Sequence, residues 1–175
     1  MAEVSFENRT VIVTGAGNGL GKAYALDLGS RGAKVVVNDL GGAVDGSGSG
    51  STPADEVVNE IVSNGGEAVA NYDSVATKDG AESIVQTAID NFGTVDAVIN
   101  NAGILRDKSF ANMSEEELSL IIDVHLKGTF FVSQSAFRVM KENSYGRIVN
   151  VASPSGLFGN FGQSNYGAAK MGIVG

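Results

Sequence analysis

The sequence predicts an α/β protein, a doubly wound parallel sheet covered by helices on both faces. Short runs of β-branched residues alternate along the chain with longer segments whose apolar residues recur every three or four positions. The short runs are apolar at nearly every position, as in VIV at 11–13 and VVV at 35–37, which is typical of strands buried on both faces. Glycine, with 24 residues, is concentrated where these runs end. Together the three observations favour the doubly wound arrangement.

Strands and helices are predicted in strict alternation. The strands are predicted at residues 10–15, 33–40, 67–73, 95–103 and 146–153. The helices are predicted at residues 19–32, 54–66, 78–93 and 114–143, followed by a last helix that begins near Asn165. Ser114 and Glu117 have the spacing of a capping box at the start of the long helix. Ligands bind beyond the carboxyl ends of strands in such sheets, so functional residues are expected there.

The length indicates one domain over residues 1–175, and the alternation of strands and helices predicts that this domain is Rossmann-like. Hydrophobic residues make up 43% of the chain and charged residues 18%, which excludes a disordered protein. The net charge of −8 argues against nucleic acid as a partner, because phosphate binding needs clustered cations. The chain has no cysteine, and no disulfide or metal site is predicted. No apolar run approaches the roughly 18 residues of a membrane span, so membrane insertion is not expected.

A glycine-rich turn, TGAGNGLG, follows the first predicted strand. Gly15 permits a tight turn, Gly19 lets a pyrophosphate approach the helix N-terminus, and Gly21 lets helix and strand pack closely. Asn18 and Leu20 lie in the same turn, and Leu20 stands where the usual G-x-G-x-x-G pattern ends in glycine. The turn therefore predicts a dinucleotide site, with a turn that binds no ligand as the alternative.

Asp39 ends the second predicted strand, eighteen residues after Gly21. An acidic residue about 20 positions on can accept hydrogen bonds from the adenine ribose hydroxyls, and its charge repels a 2′-phosphate. The expected cofactor is therefore NAD and not NADP. The alternative is a solvated aspartate at a strand end. The following segment GGAVDGSGSGSTP, at residues 41–53, is predicted to be a flexible surface loop.

Tyr166 and Lys170 lie four positions apart at the start of the last predicted helix. Residues with this spacing share a helix face. A free phenol titrates at about 10 and is a poor base at neutral pH, but an adjacent ammonium favours the phenolate. The pair therefore predicts a tyrosine that takes the proton of an alcohol. The alternative is an ordinary amphipathic helix with a packed tyrosine and a surface lysine.

Four motifs in this order, TGAGNGLG, NNAG at 100–103, Ser153 and YGAAK at 166–170, resemble the short-chain dehydrogenase/reductase superfamily over the whole chain. The resemblance implies an NAD(P)-dependent oxidoreductase with Ser153, Tyr166 and Lys170 in catalysis. Ser153 would hydrogen-bond the substrate oxygen, and Tyr166 and Lys170 would also contact the nicotinamide ribose.

Two further strand ends are implied to contact the cofactor. Asn101, Ala102 and Gly103 correspond to the family element that lies against the cofactor and braces the central sheet. Asp73 and Ser74 end the third predicted strand, where the family contacts the adenine edge. The alternative for each position is a simple strand-end turn.

His125 marks a departure from the family pattern. Many members carry an asparagine in the long helix that supports a proton relay, whereas the segment here reads DVHLKGTF. A neutral imidazole can still donate or accept a hydrogen bond. His125, the only histidine, is therefore predicted either to take part in the relay or to be structural.

Several segments, among them VVVNDLGG and GNFGQSNYGAAK, resemble one branch of the superfamily, the (3R)-hydroxyacyl-CoA dehydrogenase domains of peroxisomal multifunctional enzymes and their bacterial relatives. This resemblance implies NAD-dependent oxidation of a (3R)-3-hydroxyacyl-CoA thioester by a homo-oligomer, either a dimer or a tetramer. The location would be peroxisomal in a eukaryote and cytoplasmic in a bacterium. The family pattern also leads us to expect further strands and a substrate lid after Gly175.

Two other functions remain open at this point. A 3-oxoacyl carrier-protein reductase would share the catalytic residues, although Asp39 argues against its usual NADPH. A nucleotide-binding protein without catalytic activity would need only the glycine turn and the strand ends.

Overall fold

The structure is a computed structural model that describes residues 4–175, and it confirms the predicted α/β class. Its strands are β1 Thr10–Thr14, β2 Lys34–Asn38, β3 Glu67–Asn71, β4 Ala97–Asn100 and β5 Arg147–Asn150. They form one parallel sheet in the order β3-β2-β1-β4-β5. The strand order reverses between β1 and β4, which is where such sheets bind ligands.

The helices agree with the prediction in number and place up to α3. They are α1 Gly19–Ser30, α2 Thr52–Ser63, α3 Lys78–Phe92, α4 Glu115–Ile121, α5 Gly128–Glu142, α6 Pro154–Phe158 and α7 Ser164–Val174. The predicted long helix is continuous, but a π-helical segment, Ile122–Lys127, separates α4 from α5. The sequence did not predict this segment, the short helix α6, or a 3₁₀ turn at Phe110–Asn112.

Side chains of the central strands point alternately to the two faces of the sheet. They form two hydrophobic cores, one on each face, as the continuous apolar runs predict. Val11 and Val13 of β1 pack with α1 and α2, whereas Ile12 between them packs with α3 and α5. Val36 of β2 likewise points to the opposite face from Val35 and Val37. Side chains alternate across a strand, so a strand covered on both faces must be apolar at every position.

The carboxyl edge of the sheet is polar. Each strand ends there on a short hydrogen-bonding side chain: Thr14, Asn38, Asn71, Asn100 and Asn150. The Asn38 side-chain amide donates to Asn71 Oδ1 at 2.9 Å, and the Asn100 amide donates to Asn150 Oδ1 at 2.8 Å. The edge is therefore cross-linked by side chains at the point where the backbone ladder stops.

Two local predictions have different outcomes. The capping box is confirmed, since Ser114 Oγ accepts from the Glu117 N–H while Glu117 Oε2 accepts from the Ser114 N–H. The predicted surface loop at 41–53 is confirmed for residues 41–50, which form neither helix nor strand and are mostly exposed, but it is wrong at its C-terminal end. Thr52 and Pro53 belong to α2, and residues 41–50, here called the strap, reach the turn after β4, where the Leu105 N–H donates to Val44 O at 2.9 Å. Within residues 4–175 no helix has the length and apolar character needed to cross a membrane.

Candidate active site

A cleft of about 460 Å³ opens at the carboxyl edge of the sheet. Its walls come from the turn after β1, the end of β2 with the strap, and the turns after β3 and β4. It is lined by ten of the residues predicted to bind cofactor: Gly15, Asn18, Gly19, Leu20, Asp39, Asp73, Ser74, Asn101, Ala102 and Gly103. The structure thus places residues from four separate stretches of sequence around one opening.

Glycine is favoured in the first turn by a positive φ angle at Gly15 and Gly19 and by close contacts at Gly15 and Gly21. Gly15 and Gly19 have positive φ angles of 63° and 55°. A Cβ at Gly15 would lie 2.7 Å from Ala102 Cα, and a Cβ at Gly21 would lie 2.0 Å from the Gly15 carbonyl oxygen. Gly21 does not line the cleft, and its contribution is the close helix–strand packing that the sequence predicts.

The start of α1 is suited to an anionic group. The Asn18 side chain makes no capping hydrogen bond, and the first turn of the helix has no acidic residue. No side chain from the first turn of the helix itself therefore pairs with its N–H groups or offsets the positive end of its dipole. A phosphate group fits this position on chemical grounds.

Asp39 is fixed by backbone donors. Its Oδ2 accepts from the Gly17 N–H and its Oδ1 accepts from the Gly41 N–H, both at 2.7 Å. A carboxylate oxygen can accept more than one hydrogen bond, so the side chain keeps acceptor capacity toward ribose hydroxyls. Gly17 is a functional residue that the sequence analysis missed, although its position as the second glycine of the turn is a usable signal.

The turn after β4 is hydrogen-bonded to the end of β1 and to the glycine turn. Thr14 Oγ1 accepts from the Asn101 and Ala102 N–H groups at 3.1 and 3.0 Å. The Asn101 side chain donates to the carbonyl oxygens of Thr14 and Gly15, both at 3.0 Å. Thr14 was also missed, and its signal is a hydroxyl at the end of an otherwise apolar run.

Asp73 and Ser74 line the cleft but use their side chains locally. Asp73 Oδ2 accepts from Ser83 Oγ at 2.7 Å and from the Asn71 side chain at 2.9 Å. Ser74 Oγ accepts from the Ala76 N–H at 3.2 Å. Their contact with an adenine edge stays a prediction.

Tyr166 and Lys170 adjoin one another as the spacing predicts. The Lys170 Nζ lies 5.6 Å from the centre of the Tyr166 ring and donates to the Val151 carbonyl oxygen at 2.7 Å. Lys170 is only 4% exposed, and this burial lowers its pKa from 10.5 to about 8. A surface lysine, the alternative reading of the sequence, is therefore wrong.

Ser153 caps helix α6, and this helix packs on α7. The Ser153 Oγ accepts from the Ser155 N–H at 3.2 Å, which leaves its own hydrogen free to donate elsewhere. A Cβ at Gly156 would lie 2.8 Å from the Met171 nitrogen, and one at Gly167 would lie 2.9 Å from the Ser155 oxygen. These contacts bring the end of β5 beside the helix that carries Tyr166 and Lys170.

His125 lies inside the π-helical segment and contacts both parts of the site. Its ring meets the Tyr166 ring edge-on, with 5.1 Å between the centres. Its Nε2 lies 3.0 Å from the Ile104 nitrogen and 2.8 Å from the Ile104 oxygen, so one tautomer donates there and the other accepts. Its Nδ1 is buried and has no hydrogen-bond partner within residues 4–175. Burial is the main cause that lowers the pKa of His125 from 6.5 to about 4, so the ring is neutral at pH 7.

The sequence pattern of short chain dehydrogenases matches residues 9–175. The chain belongs to the short-chain dehydrogenase family. The peroxisomal hydratase-dehydrogenase-epimerase of Saccharomyces cerevisiae is 60% identical over 172 residues, which are 98% of this chain and 19% of that protein. The mouse peroxisomal multifunctional enzyme type 2 is 56% identical over 170 residues, or 97% of this chain and 23% of that protein. The chain thus spans about a fifth of the length of these two relatives.

A solved short chain dehydrogenase from Mycobacterium avium is also similar, with a TM-score of 0.86 and 49% identity over 95% of this chain and 60% of that one. These matches confirm the predicted family, its oxidoreductase class and the resemblance to peroxisomal multifunctional enzymes. They also imply a nicotinamide cofactor.

In this short-chain dehydrogenase the predicted residues form two adjoining groups. Ten line the cleft, whereas Ser153, Tyr166 and Lys170 lie beside it and do not line it. His125 joins the two groups, because a Cβ at Gly103 in the cleft would lie 2.4 Å from His125 Cε1. Ile104, next to Gly103, completes the junction and was not singled out by the sequence analysis.

The buried neutral imidazole predicts a specific pH dependence of stability. Between pH 6.5 and about 4 the unfolded chain binds a proton at His125 that the folded chain does not. The free energy of unfolding should therefore fall as pH decreases through this window, by roughly 3 kcal/mol at most from this group. Urea denaturation of the parent and His125→Asn across pH 4–8 measures the effect. The difference between the two curves should shrink toward pH 4, and parallel curves would contradict the prediction.

Proposed function

We propose that this chain catalyses the NAD-dependent oxidation of the secondary alcohol of (3R)-3-hydroxyacyl-CoA thioesters. The observation that carries the proposal is the buried ammonium of Lys170, which lies against the ring of Tyr166 beside a cleft suited to a dinucleotide. Residues 1–175 would act as one dinucleotide-binding domain, and the protein as a homo-oligomer.

The cleft supplies suitable groups for a dinucleotide. The uncapped start of α1 at Gly19 would hold the phosphates, and the fixed carboxylate of Asp39 would accept hydrogen bonds from the adenine ribose. Asp73 and Ser74 would face the adenine, whereas Tyr166 and Lys170 would contact the nicotinamide ribose. Asp39 favours NAD, since its negative charge repels the 2′-phosphate of NADP.

The reaction requires a base for the alcohol proton and a site for the hydride. Lys170 places a positive charge beside the ring of Tyr166, where it can stabilise negative charge that develops on the phenol oxygen during proton transfer. Tyr166 then takes the hydroxyl proton of the substrate, while Ser153 donates a hydrogen bond to the same oxygen and orients it. A bound NAD would supply the acceptor for the hydride that leaves the carbinol carbon, so that the alcohol becomes a ketone. Reduction is the reverse of these steps.

The choice of substrate rests on resemblance. The branch motifs, and the likeness to a yeast hydratase-dehydrogenase-epimerase and a mouse multifunctional enzyme, favour the hydroxyacyl-CoA thioester. A 3-oxoacyl carrier-protein reductase would use the same three catalytic side chains. The negative charge of Asp39 favours the first assignment, because such reductases typically use NADPH.

Tyr166→Phe removes the proposed base and leaves the ring in place. Turnover should fall by at least about 100-fold, the usual contribution of a general base. The dissociation constant for NADH, measured by fluorescence titration, should change by less than about threefold, because the glycine turn and Asp39 are unaltered. Tyr145→Phe is the matched control, since that ring packs under Arg9 and Arg147 on another part of the surface. Substantial turnover by the Tyr166→Phe variant would show that Tyr166 is not the base and would contradict the proposed mechanism.

The double variant Asp39→Ala with Leu40→Arg should shift cofactor preference toward NADP. It removes a repelling charge and adds a cation at an exposed position next to it. The ratio of kcat/KM for NAD to that for NADP should fall by at least about 100-fold, since like charges in contact cost several kcal/mol. Asp45→Ala, which removes a carboxylate from the strap, should leave the ratio unchanged. An unchanged ratio in the double variant would mean that Asp39 does not select the cofactor.

Thioester and cofactor can be varied together to separate the candidate functions. We expect the highest kcat/KM with a (3R)-3-hydroxyacyl-CoA and NAD, and little turnover when a carrier-protein thioester or NADP replaces either one. Preference for the carrier-protein thioester with NADPH would assign the reductase function. Binding of NADH without turnover of any thioester would identify a nucleotide-binding role.

A further inference from the structure

Asn165 immediately precedes Tyr166 in the first turn of α7, and it is 1% exposed. Its Oδ1 accepts from the Tyr166 N–H at 2.8 Å. Its Nδ2 donates to the carbonyl oxygens of Arg106 at 3.1 Å and Glu117 at 3.2 Å. The side-chain amide therefore uses both donors and its acceptor on three different stretches of backbone.

This set of bonds fixes the start of the helix. The first N–H groups of a helix have no partner within it, and Tyr166 is the third residue of α7. Asn165 supplies the missing acceptor, and its two donors tie the same turn to α4 and to the stretch that follows β4. Burying an amide costs free energy unless each of its polar atoms has a hydrogen-bond partner. The three backbone groups supply these partners, and in return they require a side chain with two donors and one acceptor.

Tyr166 is thus held from two directions. The His125 ring contacts the phenol edge-on and hydrogen-bonds to Ile104. Asn165 holds the backbone of Tyr166 and hydrogen-bonds to Arg106. Both sets of hydrogen bonds therefore attach to residues 104–106, which directly follow the cleft residue Gly103.

We infer that Asn165 is a positioning residue for the reaction, which sets the place of the Tyr166 hydroxyl relative to the cleft. The inference rests on the proposed function, in which Tyr166 is the base. A displacement of about 1 Å at a reacting group can cost about 100-fold in rate. Loss of the three bonds should therefore lower kcat and leave cofactor binding intact.

Two variants test this assignment. Asn165→Asp keeps an acceptor for the Tyr166 N–H but sets a carboxylate oxygen against two carbonyl oxygens. Asn165→Ala removes all three bonds. Asn91→Asp is the matched control, because Asn91 is exposed and its amide also donates to a backbone carbonyl, that of Thr87.

We expect kcat to fall at least about tenfold in both Asn165 variants, with the NADH dissociation constant within about threefold of the parent. Burial favours the protonated acid, which regains one O–H donor, so the kcat deficit of Asn165→Asp relative to the parent should shrink between pH 8 and pH 6. Amide exchange at the Tyr166 N–H, followed by NMR without substrate, should accelerate in Asn165→Ala. The Asn91→Asp control should match the parent in all of these measurements.

Two results would overturn the inference. In the first, kcat in both Asn165 variants stays within about threefold of the parent while Tyr166→Phe is inactive. In the second, kcat and NADH affinity fall together and amide exchange accelerates throughout the chain, which indicates a general folding role. A Tyr166→Phe variant that keeps its turnover would instead overturn the proposed function, and the inference with it.

Discussion

The structure depends on one constraint: the polar groups at the ends of five parallel strands, all at one edge of the sheet, need hydrogen-bond partners. Backbone ladders stop there, and unpaired polar groups are costly wherever water is excluded. In this chain short amide and hydroxyl side chains complete the bonding, as in the Asn38–Asn71 and Asn100–Asn150 pairs. The same edge remains open enough to form the cleft. Binding groups and structural groups are therefore neighbours along the chain, and often the same residues.

The site uses backbone atoms as much as side chains. Asp39 is fixed by two glycine N–H groups, and Lys170 donates to the carbonyl of Val151 just beyond β5. His125 bonds to the backbone of Ile104. Asp39, Lys170 and His125 are thus each oriented by a backbone segment that lies at the edge of the sheet. This explains why the glycines at strand ends matter: they let the backbone come close enough to serve as a partner.

The sequence predicted those parts of the fold that local sequence patterns determine. Short, nearly continuous apolar runs located the five strands, and the glycine turn, Asp39 and the Tyr166–Lys170 spacing located the candidate site. It did not predict features that depend on contacts between residues far apart in the sequence. Asn165 finds its carbonyl acceptors 59 and 48 residues away, and no local pattern marks it. The docking of the strap on Leu105 likewise depends on a distant partner, and α6 has only five residues, too few for a clear periodicity.

The π-helical segment has a consequence for the whole long helix. Its widened turn, in which the Gly128 N–H bonds to Asp123 O, adds one residue and rotates everything that follows by about 100°. Residues before the turn lie against α7, whereas Val132, Ala136 and Met140 after it pack in the core with α3. The two halves of one continuous helix therefore present differently oriented faces, the first toward α7 and the second toward α3. Removing one residue between 122 and 127 would bring both halves into the same phase, so the number of residues in this segment is as constrained as their identity.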